Sequence, residues 1–425
     1  MMISSKVIAE YVNMILNERA ASKIWCSFDE KDNLYSVKSE KAELKFPLFP
    51  FWKKEEDELI NAFSKEMLGF MTVNGCDIPG TIFFFLSGFW EYMSPNYTDD
   101  LGRYLGKESF SYKVGCIDIP VVDVLINQVF RELGICKRRF YQNPKFCITH
   151  DIDYLKRSQI KPILRDIIRN KNISQAARRI GHWIRKYNPY DLGGFLEKEI
   201  QQGLKPICFM LNTVQKENTD GGYLLEKEKN AQQVLKERGT TGFGIHYDTE
   251  YLETRFLGNI GEIEKFTGKS AIYGRAHYLI FDLKKSFEIY DEQGIAIDFS
   301  GGYRDVMGFR FGTSLPFHPF NFKNNSIYKV LEVPLIVMDG TWVSIDTRWK
   351  NDESKKEAVR RIIGEIRKTE GLFTVLWHNT SVEYDVWRKY ERWYWGLLKE
   401  LQEKGFTNVG LDDLKCQVDV SSEGN

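Results

Sequence analysis

Phe146-Cys147-Ile148-Thr149-His150-Asp151-Ile152-Asp153-Tyr154 reads as a short apolar run that ends in two carboxylates one residue apart. An apolar run of this length, bounded by polar residues, suits a strand covered on both faces, and such strands build parallel sheets. The pattern recurs outward from this stretch. Similar runs occupy Pro206 to Leu211, Gly242 to Ile245, Ala271 to Tyr273, Ile295 to Phe299, Val330 to Val337, Leu372 to Trp377 and Phe406 to Gly410, with charged, helix-like segments between them. Parallel strands joined by crossover helices produce this alternation. The spacing predicts an α/β fold for residues 141–425, a (β/α) barrel of about seven strands, with function where the strands end.

Residues 1–140 read differently, as a smaller α/β domain. Val7 to Leu16 has helical spacing, and Ala42 to Leu48 alternates like a strand that Pro47 would confine to an edge. Apolar helices are expected around Thr81 to Tyr92 and from Val121 to Leu133. This part holds no histidine and no glycine-rich phosphate loop, so no direct catalytic role is expected of it.

Composition narrows the class. A chain of 425 residues exceeds one ordinary domain, and 43% hydrophobic residues supply ample core. Fifty-nine basic residues balance 59 acidic ones, so no overall field recruits nucleic acid or an anionic membrane. Lys156 to Lys186 is a basic exception, read as a solvated helical face, with a docking face for an anionic ligand as the alternative. Seven widely spaced cysteines without a CxxC pair argue against a disulfide framework. With no secretory leader pattern and no apolar run of about 18 residues, a cytoplasmic protein without a membrane span is expected.

The chemistry-bearing residues fall at the predicted strand ends. Asp151 and Asp153 follow the first run, His246 the third, Arg275 and His277 the fourth, Arg310 the fifth, Asp339 the Val330 run and His378 the Leu372 run. In a barrel these ends converge on one mouth. Imidazole and carboxylate together suit a divalent metal, zinc first, with Fe, Co, Ni or Mn also compatible. A neighbouring aspartate could then take a proton from water and an imidazole could protonate a leaving amine. Asp151, Asp153, His246 and His378 are the candidates for these parts. The structural alternatives are a helix cap for the Asp pair, a hydrogen-bonded barrel histidine at His246, ion-pair roles for Arg275 and Arg310, and packing for His318.

These motifs resemble those of the polysaccharide deacetylase superfamily, the metal-dependent carbohydrate esterases. The Thr149-His150-Asp151-Ile152-Asp153 stretch, Gly244-Ile245-His246-Tyr247, Gly308-Phe309-Arg310-Phe311-Gly312 and Thr374-Val375-Leu376-Trp377-His378-Asn379 stand in that family's order. Gly274-Arg275-Ala276-His277-Tyr278-Leu279, Asp298-Phe299-Ser300-Gly301-Gly302-Tyr303 and Val337-Met338-Asp339-Gly340-Thr341 resemble a branch that carries an uncharacterised amino-terminal domain, as do Phe83 to Gly88 and Asp118 to Asp123. The resemblance implies that Asp151 is the general base, Asp153 a metal ligand, His246 a second ligand, Arg310 the arginine that orients the base and His378 the general acid, supported by Asp339. It implies removal of N-acetyl or O-acetyl groups from a sugar or glycan, in surface-polysaccharide synthesis, with Arg275, Tyr303 and Trp377 expected to contact substrate.

One position departs from that pattern. The familiar second metal histidine, four residues after the first, is here Glu250. Three outcomes stay open: Glu250 ligates through oxygen, His277 replaces the missing imidazole, which is the reading favoured, or no metal is held. The third underlies an alternative function, a non-catalytic carbohydrate-binding or assembly protein in which Tyr303, Phe309, Trp342 and Trp377 stack on sugar rings.

Overall fold

The computed structural model describes residues 3–156, 160–184, 188, 190–213, 221–237, 241–248, 256–381 and 388–422. Near the amino terminus the helix Ser5–Arg19 is capped by Ser4, whose side chain accepts the N–H of Val7. It lies on an antiparallel sheet of β1 (Trp25–Asp29), β2 (Leu34–Lys38) and β3 (Glu43–Pro47). Pro47 ends the edge strand β3, where a missing N–H costs least. A second antiparallel sheet joins β4 (Phe63–Ser64), β5 (Gly69–Thr72) and β6 (Gly75–Asp77). Strands linked by so few residues (30–33, 39–42, 65–68 and 73–74) can pair only antiparallel, so the expected α/β domain is instead two small meanders packed among helices. The single helix expected from Thr81 to Tyr92 is two, Ile78–Leu86 and Phe89–Met93, divided at Gly88, whose φ of 65° is left-handed.

From Lys145 the chain builds one curled parallel sheet. Its strands are β7 (Lys145–Ile152), β8 (Ile207–Met210), β9 (Gly242–Tyr247), β10 (Tyr273–Ala276) and β11 (Ile297–Asp298). A surface hairpin of β12 (Phe320–Asn321) and β13 (Ser326–Ile327) intervenes, followed by β14 (Leu331–Glu332), β15 (Val337–Met338), β16 (Leu372–Leu376) and β17 (Thr407–Asn408). The order is β14-β11-β10-β9-β8-β7-β16-β15, with β17 beside the start of β7. Nine strands thus stand where about seven were expected, and in place of a closed barrel they form a half-barrel whose edges β14 and β15 do not pair among the described residues. The run read as one strand from Val330 to Val337 supplies both edges of the sheet, because β14 and β15 lie at its opposite ends. The connecting residues 333–336 let those edges stand no more than about 17 Å apart, so the covalent chain holds the sheet in a curl.

Close strand approach is bought with glycine at two places. A Cβ on Gly244 would meet the carbonyl oxygen of Tyr273 at 2.3 Å, and one on Gly274 would meet that of Ile245 at 2.5 Å. β9 and β10 therefore pair tightly, and that pairing sets Arg275 beside His246. The amino-terminal part shares the barrel's apolar core: the Tyr11 and Phe83 rings pack on Phe320 at 5.5 and 4.8 Å. Buried Arg19 bonds Asp123 at 2.8 Å, and Asp123 accepts the backbone N–H of Ser314.

Candidate active site

Alternation along β7 sorts its polar residues by face. Thr149 and Asp151 point inward to the β10 side, while His150 points to the helix layer, where its ring bonds the Trp377 carbonyl at 2.6 Å and Glu199 at 3.2 Å. Arg275, fully buried on β10, gives Nη1 to Asp151 Oδ1 at 3.0 Å, Nη2 to Thr149 Oγ1 at 2.9 Å and Nε to the Phe299 carbonyl at 3.0 Å. Burial alone would raise the Asp151 carboxyl. The charges of His246, Arg275 and His378 outweigh it and hold the group below the usual carboxylate range.

His246 on β9 is locked through its other nitrogen. Its Nδ1 lies 2.9 Å from the Arg275 carbonyl, which can only accept, so Nδ1 carries the proton. Nε2 then faces Asp151 Oδ2 and Asp153 Oδ1, both at 3.5 Å. His277 closes the group from the end of β10, its ring centroid 4.9 Å from that of His246. Burial, with the neighbouring His246, lowers the His277 pKa to about 3, so this imidazole is neutral. Ligand atoms of Asp153, His246 and His277 all lie within 4.8 Å of one another. Asp153 Oδ1 is buried and has no hydrogen-bond partner among the described residues. An orphaned carboxylate oxygen opposite two imidazoles is an arrangement that a divalent cation would satisfy, so these residues fit a metal. Glu250, the other ligand considered, lies outside the described residues.

Across the cleft stands His378, just after β16. Its Nδ1 meets Asp339 Oδ1 at 2.9 Å, and Nε2 lies 3.9 Å from oxygens of both Asp151 and Asp153. Burial works against its charged form. Asp339, with Asp153 and Asp151, more than offsets this and raises the pKa to about 10. Together Asp151, Asp153, His277, Asp339 and His378 line a cleft of about 250 Å³.

Three further residues at that cleft were not anticipated as site residues. Tyr278 stacks on His277 with ring centroids 4.0 Å apart and is 36% exposed. It and Leu279 have φ of 58° and 54°, conformations costly for bulky side chains and concentrated at functional sites. Arg103 reaches the cleft from the amino-terminal part, bonded to Asp99 and to the Tyr278 carbonyl at 3.1 Å. Arg304 also lines the cleft and makes no ion pair among the described residues. The sequence signal for Tyr278 was its place in Gly274 to Leu279. Arg103 and Arg304 stand in no motif that would have marked them.

Several expected site residues lie elsewhere. Arg310 does not orient Asp151: its guanidinium is buried against Glu91, with Nε at 3.0 Å, and bonds the Gly302 carbonyl. Arg275 makes the contact to Asp151 instead, and since its donors are spent on protein atoms and it is fully buried, it does not face substrate. Tyr303 is buried beside Glu91 and Arg310, outside the cleft. Trp377, just past the Leu372–Leu376 strand, is wholly buried between Trp342 and Tyr394, outside the cleft that His378 lines. Phe309 and Trp342 are buried as well, so none of the four aromatics offers a sugar platform. His318 lies away from the cleft, its Nδ1 on the Val330 carbonyl.

Among known proteins, a family of unknown function, DUF7033, matches residues 7–136. No curated protein matches the chain. A candidate polysaccharide deacetylase from Mycobacterium smegmatis resembles the structure with a TM-score of 0.42 and 13% identity, over 66% of this chain and 92% of its own. The polysaccharide deacetylase of Bacillus cereus gives a TM-score of 0.31 and 12% identity, over 63% of this chain and 92% of its own.

Proposed function

We propose that this chain is a metal-dependent hydrolase that removes N-acetyl, or O-acetyl, groups from a saccharide. The observation that carries the reading is one cleft with three separated chemical parts: a prospective ligand set (Asp153, His246, His277), an arginine-held carboxylate (Asp151) and an aspartate-held imidazole (His378). The saccharide and its acetyl group come from the resemblance of the motifs at these same positions. An ion held by Asp153, His246 and His277, zinc first, would supply Lewis acidity at the acyl carbonyl.

The protein's own groups divide the proton work. Asp151, kept ionised by its neighbours, accepts the proton of the attacking water. Arg275 and Thr149 position that carboxylate, Arg275 by direct contact and Thr149 through Arg275. His378, kept protonated by Asp339, gives its Nε2 proton to the departing amine or hydroxyl. The reading as a carbohydrate-binding protein without activity loses its expected sugar platforms, because those aromatics are buried, while the altered ligand position that motivated it, Glu250, lies outside the described residues.

The test is acetate release from N- and O-acetylated oligosaccharides by zinc-loaded protein, with Asp151→Asn as control. Release that the variant abolishes supports the reading. Zinc bound through Asp153 with no acetate from any saccharide amide or ester would overturn it.

A further inference from the structure

The segment between β7 and β8 is unlike the rest of the surface. Residues 156–186 hold ten Lys or Arg against one acidic residue, Asp166, in a chain whose total charges balance. The helices Ile160–Ile168 and Ile173–Ile184 pack together as a hairpin. Of the fifteen large apolar side chains exposed among the described residues, eight lie on these two helices. Ile168, Ile173, Trp183 and Ile184 are 72%, 76%, 60% and 71% exposed.

The exposure is ordered. Ile160, Leu164, Ile167 and Ile168 recur at helical spacing, as do Ile173, Ile180 and Ile184, so each helix turns one apolar stripe to solvent. Apart from Ala176, what the hairpin buries among the described residues is polar: Arg179 bonds Asp166 at 2.6 Å, both side chains almost inaccessible. A hairpin adapted to water alone would place these groups the other way round.

Its base is fixed at the barrel mouth. Asn188 donates to the Leu155 carbonyl at 2.8 Å, and the Tyr190 ring packs on Tyr154 with centroids 6.0 Å apart. Tyr154 directly follows Asp153, so the hairpin springs from the rim of the cleft.

We propose that the 160–184 hairpin is an interfacial anchor that lays the mouth of the barrel on an anionic lipid surface. Ile and Trp enter the headgroup boundary while the flanking arginines and lysines meet lipid phosphates. Charge complementarity selects this occupant: a second copy would set one strongly basic face against another, and nucleic acid would leave the apolar stripes uncovered. Neither helix is long and apolar enough to cross a bilayer, so the anchor lies in the interface plane. This inference concerns where the cleft works and does not depend on the reaction proposed for it.

The experiment is flotation of the full chain with vesicles of phosphatidylcholine alone and of phosphatidylcholine mixed with phosphatidylglycerol. Binding to the mixed vesicles is expected to exceed binding to the neutral ones by about tenfold or more and to weaken as salt rises. Ile168→Ser with Trp183→Ser should lower the partition by about tenfold or more with an unchanged circular dichroism spectrum. Arg165→Gln with Arg169→Gln should erase the preference for anionic vesicles. No flotation, or equal flotation of the apolar variant, would overturn the anchor. So would light scattering that shows a dimer split by Ile168→Ser with Trp183→Ser, because the face would then be a subunit contact. RNA binding indifferent to the apolar substitutions, with no vesicle binding, would overturn it in favour of a nucleic-acid surface.

Discussion

Asp339 holds His378 twice, with Oδ1 2.9 Å from the ring Nδ1 and Oδ2 accepting the backbone N–H of the same residue at 2.9 Å. The pair fixes the ring's orientation and favours its charged form. A general acid works only while protonated, so the rate should fall as pH rises through the His378 pKa. Removing Asp339's charge lowers that pKa. Asp339→Asn is therefore expected to move the alkaline limb of the kcat profile to lower pH, towards the ordinary histidine value of about 6.5. His378→Ala should lower kcat by about a hundredfold or more with metal content unchanged, the usual scale for a lost general acid. An unmoved limb would assign the acid elsewhere.

The two aspartates should fail differently. Asp153→Asn is expected to lose the metal during dialysis, because its buried oxygen has no other partner among the described residues. Asp151→Asn should keep the metal and lose turnover, since that carboxylate is held by Arg275. His277→Ala should weaken zinc retention without abolishing it. Elemental analysis of dialysed protein, paired with acetate release, separates these outcomes. Equal metal loss in both aspartate variants would leave only a shared site.

Arg275→Met removes one partner of a buried ion pair and should cost about 3–5 kcal/mol of stability. The Asp151 pKa should rise once the guanidinium is gone. A general base works only when ionised, so the acidic limb of the rate profile should move to higher pH. Thermal melting and the kcat profile check both effects. A melting temperature unchanged from the parent protein would show that Arg275 is not the partner holding Asp151 in place.

Asp298 and Glu332 sit side by side in the β11–β14 register, both wholly buried. Burial, then each other's charge, raises the Glu332 carboxyl well above its ordinary value. Its folded pKa therefore exceeds its unfolded value of about 4.3, so the associated stability is complete below that value and lost as pH rises towards the folded pKa. The loss approaches about 1.4 kcal/mol per pH unit within that window. Glu332→Gln keeps the shape without the proton, so the variant should melt higher than the parent at pH 8 relative to their difference at pH 5. Parallel melting curves at both pH values would refute the raised Glu332 pKa.

Much of the curled parallel sheet was legible because its strands are short apolar runs, and a chain must cover such runs on both faces. Asp151, Asp153, His246, His277, Asp339 and His378 were legible together because parallel strands send all their carboxyl ends to one side. Arg275 and Arg310 looked alike at that level. Each follows a strand, yet Arg275 lies beside His246 through the β9–β10 register, while Arg310 meets Glu91 from a helix more than two hundred residues earlier. No local pattern encodes such a partner. The aromatics were misplaced because each packs against protein and not the cleft: Trp377, next to His378, is enclosed by Trp342 and Tyr394.

The sequence by itself determined most of the strand-forming runs of the parallel sheet, which residues stand near their ends and how strongly basic the 156–186 segment is, since these follow from side-chain chemistry read in order. Only the tertiary structure decided that residues 331–338 supply both sheet edges, that Arg103 reaches the cleft from the amino-terminal part, and that the 160–184 hairpin turns its isoleucines outward around a buried Arg179–Asp166 pair. The physical reason is that burial is a property of the neighbours a side chain meets. Periodicity identifies an amphipathic face, and the packing of the whole chain decides whether that face meets protein, water or lipid.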